Sequence, residues 1–323
     1  MNVCLVGHGM MGVWHSNALE GTGAVPHTIV GRREEATADF ARRRGFARWT
    51  TSLEDALADD AIDAVILATP SETHAASALL ALRSGKPVLV EIPLAMNLRD
   101  AELVVQEAAA RELTLGVVHP LRARLELDGL RERVEGGAEQ IRQVVGRLYF
   151  HRLENVGSTG YRRSWTDNIL WHHMAHLVDA ALWVSGATEV TVESVMSPVD
   201  RLTGIPMDVA VLMQTQLGQP LLCSGSYYAR ERMFELLVIT DSDSYRLDVF
   251  AATLTTADGV RPVLPEEENC WRITRDFLAA VDERRAPLVS GESVLACLRT
   301  LATVQEEWDR AHGPKVLPGR PLI

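Results

Sequence analysis

The sequence predicts two domains: a doubly wound α/β domain with a parallel sheet in residues 1–119, and an α+β domain with a mostly antiparallel, open sheet in residues 120–323. Three observations lead to this prediction. A glycine-rich segment directly follows the first apolar run, and strand-like and helical runs then alternate as far as residue 118. The rest of the chain consists mainly of β-rich runs bounded by turn residues.

The glycine-rich segment has the spacing of a dinucleotide-binding turn of the Rossmann type. The apolar run Val3–Val6 leads into G-H-G-M-M-G at residues 7–12, and a helical pattern follows over Val13–Leu19. In such a turn the first glycine makes the bend, the second admits a pyrophosphate to the backbone, and the third lets helix and strand pack closely. We expect the pyrophosphate to lie at the helix N-terminus, against Gly7, Gly9, Met10, Met11 and Gly12.

Strand and helix patterns alternate behind this turn, which is typical of a parallel sheet with helices on both faces. The predicted strands are Val25–Val30, Ala64–Ala68, Val88–Val90 and Thr114–Val118, and the predicted helices are Glu34–Arg44, Glu72–Arg83 and Leu98–Arg111.

The end of the second strand indicates which cofactor is preferred. A site selective for NAD usually places Asp or Glu about 20 residues after the glycine motif, where the carboxylate holds the ribose 2′-hydroxyl. Here that position is Gly31, and Arg32 and Arg33 follow it. No carboxylate repels a 2′-phosphate, and two guanidinium groups can hold one. The sequence therefore favours NADP over NAD, although a solvated arginine pair at a helix start would have the same pattern.

Two further loops follow strands on the cofactor side of the sheet. One contains Thr69, Pro70 and His74, and the other contains Glu91 and Pro93. Ligands of open α/β sheets bind beyond the carboxyl ends of the strands, so we expect both loops to line the nicotinamide site. Each proline suits a rigid turn, and we expect a cis peptide bond before Pro93.

Composition and charge exclude several classes of partner. The 323-residue chain has a net charge of −11, which argues against nucleic acid and anionic membranes as partners. No apolar run approaches the ~20 residues of a membrane span. The four cysteines form no C-x-x-C pair, so we expect neither a disulfide nor a zinc framework, and a cytoplasmic location. Lys86 and Lys315 are the only lysines, which leaves few positions for a catalytic lysine.

The second half of the chain reads as an open sheet with a few helices. The predicted helices are Leu121–Val134, Ile169–Val184, Trp271–Glu283 and Ser293–Arg310; the predicted strands are Gln143–Arg152, Glu189–Met196, Met207–Gln216, Leu221–Tyr228, Phe234–Thr240 and Tyr245–Phe250. Turn residues at 217–220 and 241–243 predict hairpins. With helices on one face, the other face is expected to join copies of the chain in a homo-oligomer, a dimer or a tetramer.

The helix predicted over Ile169–Val184 carries three polar side chains on one face. His172, His176 and Asp179 are spaced four and three residues apart, whereas His173 points about 100° away and is expected to be structural. Two imidazoles and a carboxylate on one stripe fit a metal site, an acid–base centre or a satisfied core network. The spacing alone does not distinguish these three.

Four motifs together resemble the glucose–fructose oxidoreductase/inositol dehydrogenase (Gfo/Idh/MocA) family of nicotinamide-dependent oxidoreductases. They are G-H-G-M-M-G, A-T-P-S-E-T-H at residues 68–74, the E-I-P loop at 91–93, and H-L-V-D at 176–179. The resemblance implies a catalytic lysine in the middle of the E-x-P loop, where this chain has Ile92. It also implies an aspartate at the position that His172 occupies.

Both departures occur together in one subgroup, which oxidises 4-carboxy-2-hydroxymuconate-6-semialdehyde. The chain is similar to it at V-G-R-R (30–33), V-E-I-P-L-A (90–95), R-S-W-T-D (163–167) and W-H-H-x-A-H-x-V-D (171–179). That similarity implies an NADP-dependent oxidation of a cyclic hemiacetal to a lactone, 2-pyrone-4,6-dicarboxylate. The subgroup has an Arg-Arg pair after the histidine that ends the Rossmann half, and here only Arg122 matches it.

Such an oxidation needs a base for the hydroxyl proton, and without the lysine a histidine is the natural candidate. We expect His176 to be the base and His172 to bind substrate or to be the alternative base. Asp179 either orients His176 or satisfies a core contact. A small carboxylated substrate would need guanidinium groups. The predicted substrate ligands are His119, Arg122, Arg152 and Arg163; Trp165 is expected to pack on the cofactor, and Asp167 to cap the helix.

Three other functions remain open at this point. A metalloenzyme would use His172, His176 and Asp179 as ligands, but the nicotinamide cofactor already accepts the hydride, so we expect no metal. A catalytically silent, NADP-binding regulator would explain the missing lysine. A sugar or inositol dehydrogenase is the other enzymatic alternative, and Ile92 argues against it.

Overall fold

The computed structural model describes residues 1–157, 160, 162, 165 and 168–313. The first domain contains a six-stranded parallel sheet in the order β3-β2-β1-β4-β5-β6. Its strands are β1 Asn2–Val6, β2 Val25–Val30, β3 Arg48–Thr50, β4 Ala64–Leu67, β5 Val88–Val90 and β6 Leu115–Val117. Its helices are α1 Met10–Ala18, α2 Glu34–Arg44, α3 Leu53–Leu57, α4 His74–Arg83 and α5 Leu98–Ala110. The predicted doubly wound domain is confirmed.

The strand order reverses between β1 and β4, and this reversal positions the candidate site. The interior residues of β1, β4 and β5 are buried on both faces of the sheet, as their continuous apolar sequences require. At such a reversal the loops that follow the two strands diverge and leave a crevice at the carboxyl edge of the sheet. The loops that follow β1, β4 and β5 are the predicted cofactor loops.

The second domain contains an eight-stranded sheet in the order β14-β13-β12-β11-β7-β10-β9-β8. All neighbouring strands are antiparallel except β10 and β7, which are parallel, so the predicted mostly antiparallel sheet is confirmed. Its strands are β7 Ile141–His151, β8 Val190–Met196, β9 Asp208–Thr215, β10 Pro220–Ser226, β11 Tyr228–Thr240, β12 Ser244–Asp248, β13 Thr253–Thr256 and β14 Gly259–Pro262. Both predicted hairpin turns are present, between β9 and β10 and between β11 and β12.

The remaining helices are α6 Leu125–Glu135, α7 Ala175–Ser185, α8 Glu266–Glu283 and α9 Leu295–His312. Helix α7 packs on one face of the large sheet, where Gly146 of β7 makes room for Leu177; a Cβ atom at Gly146 would lie 3.0 Å from Leu177 Cδ2. Among the described residues, no helix combines the length and apolar character that a membrane-spanning helix needs.

The opposite face of this sheet carries a row of side chains that crosses six strands. In register, the row consists of Glu193, Leu212, Leu222, Val145, Leu237 and Arg246. Both charged ends and Leu212 are exposed, and the three residues between Leu212 and Arg246 are half-buried. The row therefore has an acidic end, an apolar centre and a basic end.

The last part of the chain returns to the first domain. The amide of Val117 in β6 donates to Val289 O at 3.0 Å, and the amide of Gly291 donates to Leu115 O at 3.0 Å. Helix α8 contacts α1 through Thr274, whose Oγ1 lies 2.8 Å from His15 Nδ1. The predicted boundary after residue 119 thus separates two sheets, while residues beyond 265 pack against both.

The helix predicted over Ile169–Val184 differs from the observed one. Residues Ile169–Met174 form a π-helix, capped by the Asn168 side chain, and the α-helix begins only at Ala175. Because a π-helix closes its hydrogen bonds over one more residue than an α-helix, His172 and His176 do not have the simple α-helical relationship that their spacing suggested.

Candidate active site

Close backbone contacts build the predicted dinucleotide turn. Gly7 has a φ angle of +102°, and a Cβ atom there would lie 2.2 Å from Ala68 O at the end of β4. A Cβ atom at Gly12 would lie 2.3 Å from Gly7 O. Since neither position can hold a side chain without moving the backbone, both glycines are required by the packing of β1, β4 and α1.

The N-terminus of α1 is open toward the crevice. Gly9 caps the helix without a side-chain hydrogen bond, and a Cβ atom at Gly9 would meet nothing within 4 Å. Met10, at the start of the helix, is 49% exposed, and Met11 is half-buried. The open backbone amides of a first helical turn suit a pyrophosphate, which the helix dipole also favours. The turn therefore fits a dinucleotide, with the pyrophosphate against Gly9.

The end of β2 carries no carboxylate and has no room for one. A Cβ atom at Gly31 would lie 2.4 Å from Thr37 Oγ1 and 2.5 Å from His8 Cδ2. Arg32 and Arg33 follow and are both exposed. The residues around the expected ribose position thus offer positive charge, as predicted from the sequence.

The two loops that were expected to line the nicotinamide are held together by His74. Its Nδ1 lies 2.7 Å from Pro93 O and its Nε2 lies 2.9 Å from Thr69 O, so one buried imidazole joins both loops. Pro70 O accepts a hydrogen bond from Thr73 Oγ1 at 2.9 Å. The peptide bond before Pro93 is cis, as expected. His74 therefore holds the two loops next to each other.

Glu91 is also directed into the protein. Its Oε1 lies 2.8 Å from His15 Nε2, and His15 is fully buried against Thr274 of α8. The expected cofactor contact of Glu91 is therefore not supported by the geometry, because its carboxylate is engaged by His15. His15 was not identified from the sequence, and its only signal is a histidine in an otherwise apolar stretch of α1.

Three histidines form a cluster at the junction of the π-helix and α7. The ring of His172 lies 4.3 Å from that of His173 and 6.1 Å from that of His176, measured between centroids. His176 also faces the ring of Phe234 at 6.0 Å. His173 was expected to be structural and to point away from the stripe, but the structure places it beside His172.

His176 has the properties of a neutral proton acceptor. Burial and, to a smaller extent, repulsion by His119 together lower the pKa of His176 to about 3, against the attraction of Asp179. Its Nδ1 atom is buried and has no hydrogen-bond partner among the residues that the structure describes. The imidazole is therefore uncharged at neutral pH and retains a lone pair.

Asp179 contacts a different set of groups from the one its spacing suggested. Arg122 donates to it twice, from Nε to Oδ2 at 2.7 Å and from Nη2 to Oδ1 at 2.5 Å. His119 Nδ1 lies 2.9 Å from Oδ2. Burial alone would raise the pKa of Asp179, but the charges of Arg122 and His119 outweigh it and hold that pKa well below its usual range. Asp179 therefore satisfies a core contact and does not orient His176.

The same contacts account for two of the predicted substrate ligands. Arg122 also donates to Ser293 Oγ and to Ser293 O, both at 2.9 Å, and its side chain is only 5% exposed. Its guanidinium is committed to Asp179 and Ser293, so the expected role of Arg122 in binding a carboxylate is not supported by the geometry. His119 is likewise buried against Asp179. Arg163 and Asp167 lie outside the described residues.

Arg152 lies in an aromatic cluster next to the histidines. Its guanidinium is 5.4 Å from the ring centroids of both Trp165 and Tyr227, and its Nη1 is 3.3 Å from Tyr227 Oη. Tyr227 Oη in turn lies 2.5 Å from His173 Nδ1, and Phe150 covers both rings. Trp165, expected on the cofactor, thus packs with Arg152. Tyr227 was missed because its position after a strand carries no sequence signal.

The histidines and Asp179 do not form a metal centre. Within the described ranges, no three His, Cys, Asp or Glu side chains are grouped so that they could hold a metal ion. The Asp179 carboxylate is instead paired with Arg122 and His119.

Comparisons with known proteins agree with this arrangement. Residues 1–119 match the family profile described as an oxidoreductase family with an NAD-binding Rossmann fold (GFO_IDH_MocA), and residues 128–245 match that of the C-terminal part of bacterial oxidoreductases. A 4-carboxy-2-hydroxymuconate-6-semialdehyde dehydrogenase of Sphingobium sp. is 31% identical over 96% of this chain and 99% of its own length. The chain belongs to the Gfo/Idh/MocA oxidoreductase family.

Other family members extend the comparison. An inositol 2-dehydrogenase of Corynebacterium glutamicum is 29% identical over 68% of this chain and 64% of its own length. A levoglucosan dehydrogenase, solved with NADH and levoglucosan, shares the fold with a TM-score of 0.84 at 19% identity, covering 96% of this chain and 97% of its own. This family member is accordingly an NAD(P)-dependent dehydrogenase, and residues 1–119 match the NAD-binding Rossmann domain of the family.

Proposed function

We propose that the protein oxidises a cyclic hemiacetal, or a related hydroxyl-bearing compound, with NADP and a histidine base. The observation that carries the proposal is the exchange of functional groups at the site. Position 92 of the loop after β5 holds a buried isoleucine in place of the family's lysine, while the π-helix brings His172 beside His176. The site has thus lost an amine and gained an imidazole.

The preference for NADP rests on the end of β2. Gly31 cannot hold the carboxylate that an NAD-selective site uses, and the exposed guanidiniums of Arg32 and Arg33 follow directly. A 2′-phosphate is a strong acceptor that arginine binds in bidentate fashion. NAD is the alternative cofactor.

His176 is the proposed base. When bound, the nicotinamide accepts the hydride from the carbon that carries the hydroxyl group. We assign the hydroxyl proton to the neutral imidazole of His176, because its buried Nδ1 has no hydrogen-bond partner among the described residues. His172, 6.1 Å away between ring centroids, is placed to hold the same hydroxyl group or to act as the alternative base.

The aromatic cluster supports a substrate that carries a carboxylate. The neighbouring rings of Trp165 and Tyr227 and the side chain of Asn155 all contact the Arg152 guanidinium, which orders it at the edge of the histidine cluster. An ordered guanidinium binds a carboxylate with less loss of side-chain entropy than a mobile one. Arg163 remains a predicted second ligand. The Sphingobium relative is named for a carboxylated semialdehyde, and this name supports the same substrate class.

We also infer a cytoplasmic homo-oligomer. All four cysteines are buried and unpaired, which suits a reducing compartment. The row from Glu193 to Arg246 has opposite charges at its two ends. A two-fold axis parallel to the strands therefore places the acidic end of one copy opposite the basic end of the other. The apolar centre, which includes Leu212 and Leu222, is then removed from water. A dimer through this face, or a tetramer containing it, is the proposed assembly.

The test is a screen of ring-cleavage semialdehydes, aldoses and polyols against NADP+ and NAD+, followed by NADPH or NADH absorbance. We expect turnover with carboxylated semialdehydes and a higher kcat/KM with NADP+. Turnover with aldoses or polyols alone would instead indicate a sugar or inositol dehydrogenase. Nucleotide binding without turnover on any compound would indicate a regulator.

A further inference from the structure

The side chain of His8 lies against the end of β2. His8 is the residue between the first two glycines of the dinucleotide turn. A Cβ atom built on Gly31 would lie 2.5 Å from His8 Cδ2 and 2.8 Å from His8 Nε2, so the imidazole fills the space that a side chain at position 31 would need. Thr37 closes the other side, where its Oγ1 donates to Arg33 O at 2.7 Å.

The surroundings of His8 are positively charged. Burial lowers the pKa of His8, a backbone hydrogen bond opposes this, and the charges of Arg33, Arg32 and Arg43 lower it further. The ring of Phe40 packs beside it, 6.0 Å away between centroids. Arg43 is partly neutralised, because its Nε lies 2.8 Å from Asp39 Oδ2. The imidazole and the guanidiniums therefore form a cluster that an anion would stabilise.

We propose that His8 is a specificity-determining residue for the cofactor: with Arg32 and Arg33 it binds the 2′-phosphate, and its ring denies position 31 to the carboxylate that selects NAD. The inference rests on the NADP dependence proposed above and assigns part of that dependence to a residue outside the arginine pair. The His8 side chain thereby both binds the 2′-phosphate and excludes a carboxylate from position 31.

The chemistry of the bound state makes this role measurable. A phosphate monoester carries a charge between −1 and −2 near neutral pH, since its second pKa is about 6. Its charge offsets the repulsion by the three arginines, so the His8 imidazole gains a proton when the phosphate arrives. Binding of a 2′-phosphate is then coupled to proton uptake by His8, and that contribution is lost as pH rises.

The experiment compares adenosine 2′,5′-bisphosphate with adenosine 5′-monophosphate (AMP), which lacks only the 2′-phosphate, by isothermal titration calorimetry on the full chain. The variants are His8→Ala and His8→Gln, with Arg33→Ala as the positive control. The matched negative control is His27→Ala, which removes a half-buried histidine from β2 itself. Thermal melting of each variant checks that it is folded.

We expect His8→Ala to weaken binding of the bisphosphate about tenfold and binding of AMP less than about twofold. Between about pH 6 and about pH 8, the preference for the bisphosphate should fall more in the wild type than in His8→Gln, since both share the titration of the phosphate. An equal loss for both ligands, or no loss, would overturn the role of His8 alone. A wild type without preference for the bisphosphate would overturn both His8 and the NADP proposal.

Discussion

Arg122 and Asp179 form a two-bond ion pair in the interior, with donor–acceptor distances of 2.7 and 2.5 Å and side chains that are 5% and 1% exposed. Arg122 lies in the turn that follows β6, whereas Asp179 lies in α7. The pair therefore fixes the helix that carries His176 to the turn that directly follows the parallel sheet. Ser293, which accepts from the same guanidinium, adds the segment before α9 to this joint.

Removing one partner of this pair should destabilise the fold strongly. Arg122→Leu removes both guanidinium hydrogen bonds from the buried Asp179 carboxylate and leaves it with the His119 contact, and we expect it to lower the free energy of unfolding by about 3–5 kcal/mol. The double variant Arg122→Leu/Asp179→Leu should recover a large part of that loss, because no isolated charge remains. Urea unfolding measures both. The control Arg42→Leu breaks an exposed pair with Asp39 and should cost less than about 1 kcal/mol. Additive losses in the double variant would contradict the assignment.

Alanine substitutions at Gly9 and Gly12 should have different effects, the first on cofactor binding and the second on the stability of the fold. Gly9→Ala adds a methyl group that meets no protein atom within 4 Å, so its free energy of unfolding should stay within about 1 kcal/mol of the wild-type value. NADP+ affinity should fall at least about tenfold, because the methyl group occupies the approach of the pyrophosphate. Gly12→Ala should instead destabilise the protein by about 1–3 kcal/mol, since its methyl group would lie 2.3 Å from Gly7 O. Unchanged affinity in Gly9→Ala would place the pyrophosphate elsewhere.

Replacing the proposed base should abolish turnover and leave cofactor binding intact. We expect His176→Asn to lower kcat at least about 100-fold, with the NADP+ dissociation constant changed less than about threefold. A base acts in its unprotonated form, and the pKa of His176 is lowered to about 3. The kcat/KM of the wild type should therefore stay level from about pH 8 down to about pH 5, below the ordinary histidine range near 6.5. An acid limb near the ordinary value would favour His172 as the base.

Charge placed in the row on the open sheet face should dissociate the oligomer. Leu222→Arg puts a cation at the apolar centre of the row, and the proposed interface would place two such cations near each other. Light scattering after size-exclusion chromatography should show a smaller species than the wild type. The matched control is Leu217→Arg, because Leu217 is 84% exposed in the turn between β9 and β10. It should leave the mass of the oligomer unchanged. A wild-type mass for Leu222→Arg would move the interface to another face.

Residues close in sequence could be interpreted correctly, because their geometry follows from local rules. The turn at residues 7–12 follows a strand and opens a helix, and the two hairpin turns lie between β-rich runs, so all were predictable. Strand β3 was missed because it has three residues, two of them exposed, at the edge of the sheet. An edge strand of this kind has no apolar pattern to reveal it.

The partners of the site residues could not be predicted, since they come from distant parts of the chain. Asp179 pairs with Arg122, 57 residues away, although His176 is only three residues away. Glu91 pairs with His15 at a separation of 76 residues. Periodicity indicates which face of a helix or strand a side chain occupies, but its interaction partner on that face depends on tertiary packing.

The π-helix at Ile169–Met174 has a consequence for how this site can change over generations. Because one extra residue is accommodated there, deletion of a single codon within this segment would restore α-helical winding ahead of His176. His176 and Asp179, which lie in the following helix, would keep their places against the large sheet and Arg122. The segment that presents His172 can therefore change in length without repacking the core that holds His176 and Asp179.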